Sequence, residues 1–371
     1  MKTVCPPNHC TGCRVCEAKC PKRAIKLIDT LDIVQAEIDE TTCIKCGLCE
    51  KVCPNYNPIK KENPIKWYQG WAIDQELRST SSSGGIAAAI TKSFINQGGY
   101  ACSCVFEKGE FSFIITNNTA EAKRFAGSKY VKTSPYNAYE EVHRHLTENN
   151  KVLFIGLPCQ VAALKNYVPK TKQKNLYCVD LICHGTPSQE LFNIYLKQHN
   201  VKIEQLENIS FRSKGKMGLD IEAIAPSGTV DRYLISFLNS LNYTEGCYNC
   251  IYACSQRVSD ITLGDNWGTD LPEELSKGIS LILCMTLKGE ELINLAHLNI
   301  MSVNKDKALS ENGQLTHPSQ KPEGRDRFFK KIKIGANYDK TVFILYPRQC
   351  LRQILKGLAI KLKLYKPGGI G

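Results

Sequence analysis

Two runs of cysteine with the same internal spacing lie within the first sixty residues of this 371-residue chain. Cys10, Cys13, Cys16 and Cys20-Pro21 read C-x2-C-x2-C-x3-C-P, and Cys43, Cys46, Cys49 and Cys53-Pro54 repeat the pattern with each cysteine 33 positions further on. Three thiolates so closely spaced can wrap one face of a four-iron cubane, but the loop is then too tight to reach the fourth iron. In paired runs of this kind the fourth cysteine crosses to the other cluster. The spacing therefore assigns Cys10, Cys13, Cys16 and Cys53 to one [4Fe-4S] cluster and Cys43, Cys46, Cys49 and Cys20 to a second, so the two halves must fold around each other.

The distribution of the remaining cysteines agrees. Nine of the nineteen lie at or before Cys53. The amino terminus has no apolar signal-peptide core and no run of eighteen apolar residues occurs, so a cytoplasmic chain is expected, in which cysteines serve metals rather than disulfides. Structural zinc is the alternative, but zinc sites show looser spacing and no proline-marked duplicate. Thr11, Gly12 and Gly47 let backbone N–H groups approach cluster sulfur, and Ala24-Ile25 and Ala36–Asp39 read as the strands of a hairpin between the runs. Residues 8–55 resemble a bacterial two-cluster ferredoxin, within a first domain at 1–60. Cys5 falls outside the pattern and reads as a spare thiol.

After a linker at Lys60–Pro64, strands and helices alternate, the pattern of an α/β domain. Strands are expected at Trp67–Ile73, Tyr100–Phe106, Phe111–Thr116, Lys151–Ile155 and Asn175–Ile182, with helices at Ile86–Gln97, Val161–Tyr167 and Gln189–His199. Cys159 and Cys183 each follow the carboxyl end of a buried strand, the edge of an open α/β sheet where ligands sit. If those strands are parallel, both thiols share one crevice. With Cys247 and Cys250, a C-x2-C pair, they form a candidate third [4Fe-4S] site; zinc on the same ligands, or Cys254 or Cys178 in place of one member, are the alternatives. Cys102, Cys104 and Cys284 read as core, Cys350 as an isolated tail residue. The Ser83-Gly84-Gly85 turn opens a helix and can offer N–H groups to a phosphate.

In order along the chain, Ser82-Ser83-Gly84-Gly85, Ala126-Gly127-Ser128-Lys129-Tyr130, Gly156-Leu157-Pro158-Cys159-Gln160, Asp180–Ser188 and Cys247-x2-Cys250 followed by Ser259–Gly268 resemble the beta subunit of the coenzyme F420 hydrogenase/dehydrogenase family, over about residues 65–290. The resemblance implies an FAD-binding α/β domain with a cluster of its own, divided here into 61–150 (flavin-binding) and 151–305 (third cluster and flavin-binding). By position, Ser83, Gly84, Gly85, Ser128, Lys129, Asp265, Asn266 and Trp267 are expected to line the flavin. His184 reads either as a proton relay or as a structural histidine, and no catalytic acid or base is assigned.

The formal charge of +12 is uneven: from Lys321 to Gly371 there are thirteen Lys or Arg against three Asp or Glu, so this stretch carries +10. Residues 306–371 read as a basic extension ending in an amphipathic helix, Arg348–Tyr365, which either docks on the protein's own core or rests on an anionic membrane; nucleic acid is not expected. The fold class expected overall is α/β (α+β), with a ferredoxin-like domain, an FAD-binding domain and a basic helical tail. The expected function is an iron–sulfur flavoprotein oxidoreductase moving electrons between a ferredoxin or redox partner protein and a small-molecule acceptor, coenzyme F420 or another. The alternative is an electron-transfer subunit that feeds a partner enzyme.

Overall fold

The computed structural model describes residues 2–213, 216–221, 223–225 and 229–364. Tyr365 and residues 366–371, included above in the terminal helix and tail, lie outside the described residues. Strands β1 (Lys2–Thr3), β2 (Ile25–Asp29) and β3 (Val34–Ile38) form a small antiparallel sheet in the order β1-β3-β2. Two five-residue helices, Val15–Lys19 and Leu48–Val52, sit inside the two cysteine runs. Each is entered through a left-handed residue, Arg14 and Gly47, which turns the chain sharply between the second cysteine and the third.

The larger part is an eight-stranded sheet built from β4 (Lys66–Ala72), β5 (Tyr100–Glu107), β6 (Glu110–Thr116), β7 (Val152–Gly156) and β8 (Leu176–Leu181), followed, after a two-residue hairpin β9 (Arg212–Ser213) and β10 (Lys216–Met217), by β11 (Ile261–Asp265), β12 (Ser280–Cys284) and β13 (Leu298–Ser302). Its order is β13-β4-β12-β11-β8-β7-β5-β6. The four central strands, β5, β7, β8 and β11, are mutually parallel, and the flanking strands are antiparallel. β7 is buried along its whole length and β8 along all but its last residue, as parallel strands covered on both faces must be. The expected strands and helices are present, most with ends moved by one or two residues; β2 and β3 together lengthen the first hairpin.

The two parts share a core. Cys13, Val15 and Val52 of the first pack with Tyr139, Val161, Leu164 and Tyr252 of the second, and both short helices lie against the helix Pro158–Tyr167. The carboxyl-terminal stretch is more integrated than a basic tail suggests. Helices Arg325–Lys333 and Tyr338–Leu345 bury Phe328, Phe329, Ile332, Tyr338 and Val342 in a core with Phe192, Phe211 and Tyr233, and Cys350 is buried there too. Arg325 is 1 % exposed, pairs with Glu245 at 2.6 Å, and donates to the carbonyls of Asp32 (2.8 Å) and Tyr243 (2.9 Å). One cation thus joins the ferredoxin-like part, the loop before Cys247 and the terminal helices.

A second buried cation holds the other flank. Arg257 pairs with Asp180 at 3.0 Å, with both side chains almost fully buried, and donates to the carbonyls of Tyr252, Cys254 and Leu181. It fastens the loop after Cys250 to the end of β8, just before Cys183. Removing one partner of such a pair strands the other charge. Arg257→Met is expected to cost about 3–5 kcal/mol, read as a lowered thermal unfolding midpoint; Lys60→Met, at a surface ion pair with both side chains exposed, should leave the midpoint in place.

Candidate functional site

The first cysteine run and its crossing partner are together. Burial pushes the Cys13 thiol up to about 12, with Cys53 and Cys10 the next contributors. Burial likewise raises Cys16, beside Cys13, Cys10 and Cys53. The spacing does not anticipate Cys5. It is buried and packs in the same small core as Cys10, Cys16 and Cys53. The neighbouring Cys5 thiol holds Cys10 and Cys53 below the ordinary thiol value. The other set is nearer to solvent: Cys20, Cys43 and Cys49 are half-buried against the same core and Cys46 is exposed. Backbone N–H groups donate to sulfur from Ala24 to Cys20 (3.3 Å) and from Lys45 to Cys43 (3.4 Å), the kind of contact that tunes a thiolate-bound cluster.

β7 and β8 are parallel neighbours, so Cys159 and Cys183 do share the crevice at their carboxyl ends. Cys159 is raised by burial, with Cys250 the nearest like charge, then Cys183 and Cys13. Burial pushes Cys183 up to about 12, beside Cys247 and Cys250. Cys247 behaves differently. Burial raises it, but Lys132 and hydrogen bonds from Thr186 and Thr244 outweigh that and bring it down. Cys178 lies in the middle of β8 in the apolar core, and Cys254 Sγ meets Lys61 Nζ at 3.5 Å. Among the described residues, no three His, Cys, Asp or Glu side chains converge on a single-ion position; thiolates on a cubane occupy separate corners rather than surrounding one point.

Lys132 joins the inner run to this third set. It is half-buried among thiols: its Nζ donates to the Thr11 carbonyl at 3.0 Å and lies 4.0 Å from Cys247 Sγ. Despite burial, the field of Cys247, Cys159, Cys10 and Cys183 raises its pKa, so it stays an ammonium. The backbone approach is close on both sides. A Cβ at Gly12 would press on the Lys132 stem, and one at Gly246 would collide with the Cys10 carbonyl. Tyr139 Oη donates to the Cys13 carbonyl (2.9 Å) and Tyr252 Oη to the Pro54 carbonyl (2.6 Å). The thiol sets therefore run in the order outer, inner, third.

Beyond Cys183 opens a cavity of about 1120 Å³. Ser83, Gly85, Ser128, Lys129, Asp265 and Trp267 line it, as do His184 and Cys183. Two expected residues do not. Gly84 sits against β4, where its backbone passes too close to Gly70 for a side chain, and Asn266 turns inward, its amide donating to Gln69 at 2.7 Å. Gly85, at φ +81°, starts the helix Ile86–Asn96 with no side-chain cap, and Gly85, Ile86, Ala87 and Ala88 of this first turn line the cavity. Lys129 donates to the carbonyls of Arg124, Phe125 and Ala126 at 2.9–3.3 Å. Arg212 is a residue that no spacing rule marks: it pairs with Asp265 through both oxygens, stands over Trp267 at 5.4 Å, and lines the same wall. Burial lowers His184 toward the neutral form.

With this geometry in place, residues 9–57 match a 4Fe-4S dicluster domain, and residues 149–306 match the family model for the C terminus of the coenzyme F420 hydrogenase/dehydrogenase beta subunit. The chain is related to the coenzyme F420 hydrogenase/dehydrogenase beta subunits. It is 24% identical over 319 residues to a coenzyme F420-dependent sulfite reductase of Methanocaldococcus jannaschii, covering 80% of this chain and 47% of that protein. It is 22% identical to one of the F(420)H(2) dehydrogenase subunits of Methanosarcina mazei, over 47% of this chain and 53% of that one. It thus spans about half the length of either relative. A chain of the F420-reducing [NiFe] hydrogenase complex from Methanosarcina barkeri has the same fold, with a TM-score of 0.50 at 17% identity over 76% of this chain and 92% of that chain. No helix among the described residues is long and apolar enough to cross a membrane.

Two outcomes test the site as built. Gly246→Ala is expected to cost about 1–3 kcal/mol by overpacking the Cys10 loop, read as a lower thermal midpoint. Burial pushes Lys129 down from 10.5 to about 8. Because the folded value lies below the unfolded one, the penalty for burying the ammonium is full below about pH 8 and is relieved as pH rises toward 10.5. Stability followed against pH should carry a rise in that window that Lys129→Met removes.

Proposed function

We propose that this chain is an iron–sulfur flavoprotein oxidoreductase that passes electrons from a ferredoxin or other redox partner protein to an organic two-electron acceptor, or in the reverse direction. The observation that carries the proposal is the uninterrupted sequence of thiol sets ending at the wall of a large cavity: Cys46 is exposed at one end, and Cys183 belongs both to the third set and to the cavity lining. A dicluster domain alone is a wire; the cavity gives it somewhere to lead.

Two [4Fe-4S] clusters would be held by Cys10, Cys13, Cys16 and Cys53, and by Cys43, Cys46, Cys49 and Cys20; a third would be held by Cys159, Cys183, Cys247 and Cys250. The residues suit such a group: the thiols are grouped, neighbouring N–H groups point at sulfur, and the cation Lys132 offsets thiolate charge between inner and third sets. FAD fits the cavity on separate grounds. The volume is ample for a dinucleotide, the uncapped turn at Gly85 and the cation Lys129 favour phosphate, and Trp267 and Tyr130 supply apolar faces. When bound, FAD converts between one-electron and two-electron exchange. The chain's own part is to hold the ligand between the Ser83–Gly85 turn and the Arg212–Asp265 pair, with Lys129 fixed on the wall by the carbonyls of residues 124–126.

The relatives' names make coenzyme F420 the first acceptor to try, together with sulfite. The alternative reading, an electron-transfer subunit feeding a partner enzyme, is favoured by the relatives that are subunits of larger assemblies. Anaerobic purification with iron, sulfide and flavin quantification is the test. About twelve irons and one flavin per chain are expected, from three four-iron clusters. Cys183→Ser should lose about four irons while retaining the signals of the other two clusters. Reducible clusters without flavin would favour the alternative, and zinc in place of iron and sulfide would overturn both. Lys132→Met, with iron content retained, should lower the potentials of the inner and third clusters, because a cation beside thiolates favours the reduced state; Lys132→Arg should restore them.

A further inference from the structure

The carboxyl-terminal helix Pro347–Lys361 meets the protein's own core along one edge only, at Cys350. It buries only Cys350 and Gly357. Leu351, Ile354, Leu355, Leu358 and Leu362 recur at helical spacing on one face and are all exposed, Leu355 and Leu362 by about two thirds (66% and 67%). An isolated exposed leucine needs no explanation, but five on one face of a single helix form a contiguous apolar stripe. Cations border this stripe. Arg348 and Arg352 lie along one side and Lys361 along the other, Lys363 follows just past the helix end, and among the described residues none of the four has an acidic partner. No Asp or Glu follows Asp339 in the sequence.

We propose that this helix is a membrane-surface anchor: it lies in the plane of an anionic bilayer, with the leucine stripe among the acyl chains and the flanking cations at the phosphates. The charge pattern selects this occupant. A protein partner or a second copy of this chain would have to bring an apolar groove rimmed with carboxylates, and a second copy of the same helix would bring only more cations. An anionic lipid surface offers both requirements at once, and a helix with a strong apolar face, low net hydrophobicity and basic borders is the kind that lies in the interface rather than crossing it. The leucine stripe itself touches none of the thiol sets: the helix meets the rest of the fold on its other edge, through Cys350, the helices Tyr338–Leu345 and Arg232–Leu238, and the Gln349–Asn239 hydrogen bonds.

The test is co-sedimentation of the full-length protein, purified anaerobically, with vesicles of phosphatidylcholine alone and of phosphatidylcholine with one third phosphatidylglycerol. Binding to the anionic vesicles only is expected, weakening steeply at high salt because screening removes the phosphate attraction. Leu355→Glu with Leu358→Glu should reduce that binding by roughly tenfold or more, with iron content and visible absorption unchanged. Arg352→Glu with Lys363→Glu should reduce it as well. Failure to bind either vesicle, or equal binding by the leucine variants, would overturn the proposal. So would a salt-stable dimer in analytical ultracentrifugation that the leucine variants dissociate, since the stripe would then be covered by a second copy.

Discussion

Burying thiolates is costly, and the architecture follows from how that cost is met. The four cysteines of the inner run and, from the third set, Cys159, Cys247 and Cys250 lie in or against an apolar core, where a negative charge is strongly disfavoured. Lys132 places a cation against both sets. Its ammonium is held by the Thr11 carbonyl and by the field of the sulfurs. Each charge makes the other tolerable, and that requires the ferredoxin-like part to be pressed directly onto the larger sheet. The missing Cβ atoms at Gly12 and Gly246 permit the approach.

The surrounding scaffold keeps that contact rigid. Arg257 fixes the loop after Cys250 to the end of β8, and Arg325 fixes the loop before Cys247 to the ferredoxin-like part. Both guanidiniums are almost fully buried and direct their donors to backbone carbonyls as well as to a carboxylate. Such groups hold geometry rather than add net stability. Here the geometry concerns thiols drawn from residues as far apart as 10 and 250, which have to be positioned before a metal group could be bound.

Much of this is legible in the residues. The duplicated cysteine runs predict crossed sets, and the structure groups Cys53 with Cys10, Cys13 and Cys16. The alternation of strands and helices predicts an α/β sheet, and Cys159 and Cys183 do meet beside two parallel strands. The place of Cys5 is not legible in the spacing: only the pairing of β1 with β3 brings it into the small core of Cys10, Cys16 and Cys53. Asn266 does not join its neighbours on the cavity wall, because alternate residues at a strand end face opposite ways. The basic stretch is more than an extension, since its Phe328, Phe329 and Tyr338 complete a core whose other half lies about a hundred positions or more earlier.

Short-range chemistry is therefore decided by the residues alone: which cysteines could share a cluster, where strands end in glycine turns, and which helix is basic and amphipathic. Those follow from spacing and from local backbone preference, which act over a few residues. The tertiary structure decides how the pieces adjoin. It puts Lys132 between two thiol sets, Arg212 across from Asp265, Cys183 at the mouth of the cavity, and the leucine stripe of the last helix outward instead of inward. Those arrangements arise from burial and pairing among groups far apart in the chain, and no local pattern encodes them.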